Sequence, residues 1–499
     1  MSNKIKFMIF SIFSIIILCI GLTFKYLQND TFYIIKLGEF ISNHGVDLKD
    51  HYCWITNLEY TYPHWLYDLI IYYIYDLFGY LGIYMSVIVC FILFVLCIYF
   101  VNLKMHKNSF ASFLVAIIAV FRLSMFAVAR SQIISLPLFI LEVYCINKLI
   151  ESGKNKYIIY LCILSLIIAN VHATAWLFYF VLFLPFIGES LVYKIIKNKK
   201  VRKLYKLDNI KNSRIIVEKI ANLKKILIGF VLSFLMGIFT PSRICYTYVL
   251  KIMMGNSQNV LLEHLPMTVI ENPFFICAIL VLIIVLVFSN TKMYLREVFM
   301  IGGLIFMSLM STRHLAFFYT IGVLYIAIIC VRCLKNIGDN TLDILESLIV
   351  NNKIICIILL IIIISFSGFN FYKHYFKEEY VQKEEYPVNA VKYIKKNLDY
   401  KNIRLFNNYN YGSYLLFNDI PVFIDSRCDL YLKEFNGMNY SIFDELEDIS
   451  FKYEKKFKKY GVTHALVNKD SEFYMILLKD VNYNTVYEDD DFMLFERLG

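Results

Sequence analysis

Long apolar runs alternate with short polar connections along most of this chain. The runs lie at about 6–24, 80–103, 109–122, 132–150, 157–170, 175–193, 226–240, 274–289, 297–310, 315–332 and 353–370. A bilayer-crossing helix needs ~20 predominantly apolar residues, so the pattern predicts about eleven spans. The runs at 109–122, 157–170, 226–240 and 297–310 fall short of that length. Short or broken helices are tolerated in a membrane where they line a cavity. The first run follows a basic start and lacks a small-x-small cleavage pattern before Tyr26. It is also long for a signal sequence, so it reads as an uncleaved first span. A polar stretch from Lys25 to Trp65 separates it from WLYDLIIYYIYDLF (65–78). There, Asp68 and Asp76 interrupt an otherwise apolar helix, which suits a segment lying in the membrane interface.

Beyond residue 370 the periodicity becomes that of a water-soluble fold. PVNAVKYIKKN (387–397) begins with Pro and reads as an amphipathic helix. IRLFNN (403–408), GSYLLFN (412–418), PVFIDSR (421–427) and VTHALVN (462–468) read as strands, 434–460 as helical, and the last stretch as an edge hairpin. The predicted fold class is thus an α-helical polytopic membrane protein, residues 1–370, with a long first outer loop at 25–65. A C-terminal extracytoplasmic α/β domain follows at 371–499.

Charge supplies the sidedness. Residues 371–499 hold 18 Lys/Arg and 22 Asp/Glu, so the net +10 of the whole chain leaves +14 on the first 370 residues. The connection 194–225 alone carries 12 Lys/Arg against 2 acids. Such loops stay in the cytoplasm, and this basic excess is a topology signal, not a nucleic-acid site. Counting spans alternately from a cytoplasmic N-terminus puts every basic loop inside. Asp30, Asp47, Asp50, His64, Asp68, Arg130, Gln132, His172, Arg243, Glu263, His264 and Arg313 then emerge at the outer face, together with the tail. The expected location is the cell membrane, multi-pass. The chain is 59% hydrophobic with mean hydropathy +0.58. Its 12 cysteines sit mostly inside apolar runs without CxxC or metal-type spacing, which suits small core residues.

The one-sided polar set defines candidate chemistry. An acid directly after the first span sits at membrane-surface depth, so Asp30 is a candidate general base or metal ligand. It could equally cap a helix over 31–43. His64 and Asp68 are four apart and share a helix face. They could orient a substrate, ligate Mg2+ or Mn2+ with Asp30, or bond only to each other. Arg130, Arg243 and Arg313 lie at outer span ends, where Arg either anchors at the interface or binds phosphate in bidentate fashion. Gln132 and His172 join them as substrate-binding candidates. Glu263 offers a second carboxylate opposite Asp30. In the tail, Asp425, Arg427 and Asp429 follow a strand, as a ligand site or as a structural pair. NNYNYGSY (407–414) reads as an aromatic turn, either stacking on a sugar or merely tight.

This layout resembles the GT-C superfamily of integral-membrane glycosyltransferases. The likeness rests on an acid just after the first span, here Asp30 in Asp-Thr-Phe-Tyr, in a long outer loop with interfacial helices. The paired acid common in that family is replaced by Thr31. The chain is also similar to clostridial-type multi-span proteins with a Pro-His-Trp-Leu run, an Arg-x-Gln near the fourth span and Ile-Asp-x-Arg in the tail. The resemblance implies a bacterial cell-envelope enzyme that moves a sugar from a polyprenyl-phosphate donor to an acceptor at the outer face. Asp30 would act as base, assisted by Glu263 and His64, and Arg130 and Arg313 would hold phosphate. The sequence has no P-loop, dinucleotide fingerprint or HExxH, which disfavours a soluble nucleotide sugar. Two other readings fit the spans: a flippase for a lipid-linked precursor, and a non-catalytic scaffold with an envelope-binding tail.

Overall fold

The computed structural model describes residues 3–55, 57–198, 214–254, 265–446 and 449–498. Helices α1 (Asn3–Leu22), α2 (Asn29–His44), α3 (Trp65–His106), α4 (Ser109–Leu123), α5 (Gln132–Ser152) and α6 (Lys156–Val171) form the first half of a bundle. It continues with α7 (Trp176–Val181), α8 (Leu184–Lys197), α9 (Leu223–Leu235), α10 (Ile244–Met254), α11 (Pro273–Phe288), α12 (Leu295–Met310), α13 (Val323–Asn336), α14 (Thr341–Asn351) and α15 (Lys353–Phe376). Among the described residues, seven helical segments are long and apolar enough to cross a membrane, or up to eight if the bent pair at 223–252 counts as one span. Helices occupy all eleven runs, but α6 and α11 have only 16 residues each, so helix length does not support the full count of eleven crossings.

Two breaks have local causes. Gly79, at φ 62° and ψ −154°, divides α3 into the amphipathic stretch 65–78 and the span proper, a backbone shape that suits Gly. The 115° bend between 223–239 and 241–252 falls at Thr240–Pro241, where Pro removes a helical donor and forces extended backbone before it.

The basic connections gather at one end of the bundle. Lys335 Nζ donates to the His106 carbonyl (3.2 Å) and Asn108 Nδ2 to Asp343 (3.2 Å). Arg332 grips Glu297 with both Nη atoms (2.9 and 2.7 Å). Arg296 bridges Glu189 (2.9 Å) and Glu218 (3.0 Å), and Asn222 Nδ2 donates to the carbonyls of Leu149 and Ile150. Strands β1 (Ile215–Ile216) and β2 (Met293–Tyr294) pair in parallel there.

The tail packs on the opposite end. It contains α16 (Val388–Asn397), α17 (Tyr409–Phe417), α18 (Ile442–Leu446), α19 (Ile449–Tyr460) and α20 (Glu472–Lys479). Strands β3 (Leu405–Phe406), β4 (His464–Asn468), β5 (Tyr483–Glu488) and β6 (Phe492–Arg497) form one sheet in the order β3-β4-β6-β5, with only the β3/β4 pair parallel. Two sequence expectations fail here. GSYLLFN is the helix α17, not a strand: Asn408 caps it through Asn410 N (3.1 Å), and its apolar faces are covered all round. A Cβ at Gly412 would come within 2.0 Å of the Ile424 carbonyl, so the absence of a side chain permits that approach. PVFIDSR joins no sheet. Its one bridge, Val422 to Cys53, is with the first loop.

Candidate functional site

Asp30 lies in the first turn of α2, one residue inside the helix and not at its cap. Gln28 holds the cap position and makes no side-chain cap bond. The helix therefore begins before the predicted 31–43, and the Asp30 carboxylate is left for another partner. That partner is Arg130, whose Nη2 lies 2.8 Å from Oδ2, with both side chains largely covered. The pair joins the start of α2 to the turn before α5, 100 residues later. A narrow cleft of about 10 Å³ lies beside it, room for about one water molecule, lined by Lys25, Gln28, Thr31, Tyr84 and Ala129 among others.

Close helix contact fixes α2 against α3. A Cβ on Gly38 would meet the Asp68 carbonyl at 2.1 Å, so α2 can seat itself on the first turn of α3 only because residue 38 is Gly. This buries Asp68 and brings Tyr33 within electrostatic reach of Asp30, Asp68 and Arg130. The expected His64–Asp68 side-chain pair does not form. Their bond is backbone only, Asp68 N to the His64 carbonyl (3.0 Å). His64 instead packs on His172, with ring centroids 5.2 Å apart, and the Ala173 N–H holds the Pro63 carbonyl at 2.9 Å. His172 Nδ1 lies 2.7 Å from Ser135 Oγ. His64 Nε2, both Asp68 carboxylate oxygens, Asn29 Oδ1 and Gln28 Oε1 are buried without hydrogen-bond partners among the described residues. Burial, and then the positive charges of Arg313 and Arg130, push the His64 imidazole down to about 3. It is neutral at physiological pH.

Arg313 joins this group electrostatically. Its charge acts on His64, His172 and Tyr248, and on Asp429 of the tail. Tyr248 donates to Asp429 Oδ2 (2.6 Å), and burial raises that carboxyl above its ordinary range. The structure thus brings Asp30, Arg130, His64, Asp68, His172 and Arg313 to the same end of the bundle. Gln132 opens α5, where its carbonyl accepts from Ser135 Oγ (3.4 Å), and its side chain joins none of these pairs. Arg243 stands apart at a left-handed position (φ 55°), coupled to Tyr246. Glu263 and His264 lie outside the described residues. Among the described residues, no group of three or more His, Cys, Asp or Glu gathers closely enough to hold a metal. Asp30 and His64 belong to no such group among the described residues.

The tail's polar triad is a structural joint. Arg427 grips Asp425 through Nε and Nη2 (2.9 and 2.6 Å), Tyr431 donates to Asp425 (2.7 Å), and Arg427 Nη1 binds Asp50 of the first loop. All three charged side chains are essentially fully buried. Trp54 Nε1 donates to the Leu405 carbonyl (2.9 Å) and Asn29 Nδ2 to that of Tyr409 (2.8 Å), so the tail also abuts the residue beside Asp30. Sequence reasoning gave no role to Tyr248, Tyr33 or Ser135. With 39 tyrosines in the chain, no single one carries a signal.

No protein-family model and no curated protein matches the sequence. Solved structures do. The chain superposes on the archaeal oligosaccharyltransferase AglB from Archaeoglobus fulgidus, in complex with an inhibitory peptide and a dolichol-phosphate, with TM-score 0.59 at 10% identity. That match covers 94% of this chain and 70% of that one. The apo form of the Archaeoglobus fulgidus enzyme matches with TM-score 0.58 at 10% identity, covering 93% and 69%. A third structure of it, tethered to an acceptor peptide with an NVT sequon, gives 0.56 at 10%, covering 92% and 68%. The fold is of the GT-C type. At this identity the likeness concerns backbone architecture, and it spans the bundle and the tail together. The number of long apolar helices among the described residues is that of a multi-pass membrane protein.

Proposed function

We propose that this protein is a membrane glycosyltransferase that moves a sugar from a polyprenyl-phosphate-linked donor to an acceptor at the outer face. The observation that carries the reading is the Asp30–Arg130 ion pair, set directly after the first helix in a GT-C fold. In this reading the acceptor's nucleophilic atom attacks the sugar's anomeric carbon and gives its proton to Asp30. The bond from that carbon to the phosphate oxygen breaks, and the electron pair leaves with the phosphate. Arg130 and Arg313 offset the leaving charge. His64, neutral and with Nε2 buried and unpartnered, serves as a hydrogen-bonding group for donor or acceptor. Asp68, His172 and Gln132 remain assigned to substrate binding, and Glu263 to a second carboxylate.

The topology belongs to the same proposal. Residues 1–370 form the membrane part, with short helices completing about eleven crossings. The N-terminus is cytoplasmic and residues 371–499 form an extracytoplasmic domain. Cysteines placed at Asp47 and Lys154 should label from opposite sides of sealed bacterial vesicles, and labelling of both from one side would overturn it. The activity test supplies radiolabelled polyprenyl-phosphate sugars to membranes carrying wild type or Asp30→Asn. Transfer by the wild type and a loss of about 100-fold or more in the variant is expected. Equal transfer removes Asp30 from the mechanism.

A further inference from the structure

A second cationic site lies at the tail-side end of the bundle and takes no part in the Asp30 group. Arg122 sits one residue from the C-terminus of α4, which starts at the basic end where Asn108 meets Asp343. Its guanidinium is stacked between two aromatic rings, with Cζ 4.9 Å from the centroid of Phe274 and 5.4 Å from that of Tyr319. Phe274 belongs to the first turn of α11, whose far end meets Arg214 among the basic connections. The positive end of that helix dipole therefore points to the same place as Arg122. Tyr319 lies in a π-helical turn, Phe318–Gly322, ahead of α13, a distortion often associated with function.

The hydrogen-bonding inventory shows what is wanted there. Tyr319 is 2% exposed, and its hydroxyl, which faces the Arg122 guanidinium, finds no acceptor for its own hydrogen among the described residues. Arg122 Nε is also buried without one. Arg122 is half-buried and enters no ion pair among the described residues. The nearest acid along the chain from Phe274, Glu271, is exposed and accepts from Thr268 Oγ1. Among the described residues, the two donors and a helix N-terminus converge with no carboxylate or other counter-charge. Leaving such donors buried without an acceptor is unfavourable. A phosphate oxygen answers all three, and Arg at a helix end sits at the depth of lipid phosphates.

We propose that Arg122, Tyr319 and the N-terminus of α11 bind the phosphate ester of a membrane lipid. The chemistry is shared by a resident phospholipid and by a polyprenyl phosphate, and it does not depend on the role given to Asp30. Full-length protein, wild type, Arg122→Gln or Tyr319→Phe, is purified in detergent and titrated in native mass spectrometry. The probes are phosphatidylglycerol, a polyprenyl monophosphate and, as a phosphate-free control, diacylglycerol. The wild type should retain one phosphate-bearing lipid and no diacylglycerol. Arg122→Gln should weaken retention ~10-fold and Tyr319→Phe ~3-fold, since charge-assisted hydrogen bonds exceed neutral ones. Whichever phosphate probe is held more tightly identifies the source. Equal retention by wild type and both variants, or equal retention of diacylglycerol and phosphatidylglycerol, overturns the site. Should Arg122→Gln fail to fold, Tyr319→Phe decides alone, because it removes a single oxygen.

Discussion

The two ends of the helix bundle treat buried charge in opposite ways. At the basic end every buried acid that meets an arginine is saturated: Glu189 is closed by Arg296, and Glu297 takes both Nη atoms of Arg332. At the tail-side end Asp30 and Arg130 meet, yet Asp68, His64, Asn29 and Gln28 keep buried polar atoms without partners nearby. Buried polar groups in a stable fold are normally satisfied. His106 Nε2 is also unpartnered at the basic end, but the carboxylates that meet an arginine there are closed and contribute rigidity, whereas the open Asp68 carboxylate stores binding capacity. The lesson is that ion pairs alone do not mark a site. The Arg427–Asp425–Asp50 joint is as well made as any at the basic end, and it too holds elements together.

The sharpest way to break this contrast is to unpair the saturated end. Glu189→Ala leaves Arg296 partly buried beside Glu218 alone, and loss of one partner of a buried pair costs about 3–5 kcal/mol. Thermal unfolding in detergent should show that loss, while sugar transfer per folded molecule stays near wild type. A selective loss of transfer would make the basic end functional. The converse change is Arg130→Gln. Transfer should fall about 100- to 1,000-fold, as for loss of one preorganised donor. Stability should fall by less than for Glu189→Ala, since Glu189 is fully buried whereas Asp30 and Arg130 each keep some exposure. Comparable losses in both readouts would turn this pair into another structural joint.

Acidification sharpens the comparison further. His64 stays neutral in the folded protein down to about pH 3, while the unfolded residue titrates near 6.5. Between those values the unfolded chain binds the extra proton, so stability falls as pH drops through that window and is flat above it. The slope contributed is at most about 1.4 kcal/mol per pH unit. His64→Gln should flatten the unfolding profile there, and an unchanged slope would place the acid sensitivity elsewhere. The smallest effect is expected at Arg243, which stands outside the cluster. Arg243→Gln should leave both stability, within about 0.5 kcal/mol, and transfer nearly unchanged. A marked rise in KM for the lipid donor would bring it back as a substrate contact.

Much of this was legible one residue at a time. Asp30 was singled out because an acid at membrane depth is expensive. Its bond to Arg130 was not legible, because nothing local ties a residue after α1 to one before α5. His64 and Asp68 had the right helical spacing to pair, but packing of His64 on His172 and burial of Asp68 under Gly38 separated their side chains. GSYLLFN was misread because a run that is apolar on every face carries no period. Asn408 and the approach to Ile424 decided for a helix.

The sequence by itself determined the membrane-spanning character, the separation of basic connections from the acidic tail, and the strands β4 to β6. These follow from hydropathy, charge and period, which act over a few residues. Only the tertiary structure decided which charges neutralise each other and which remain available for a ligand. That depends on distances set by helix crossing and loop docking across tens to hundreds of residues, where a single absent Cβ, as at Gly38 or Gly412, fixes what can meet.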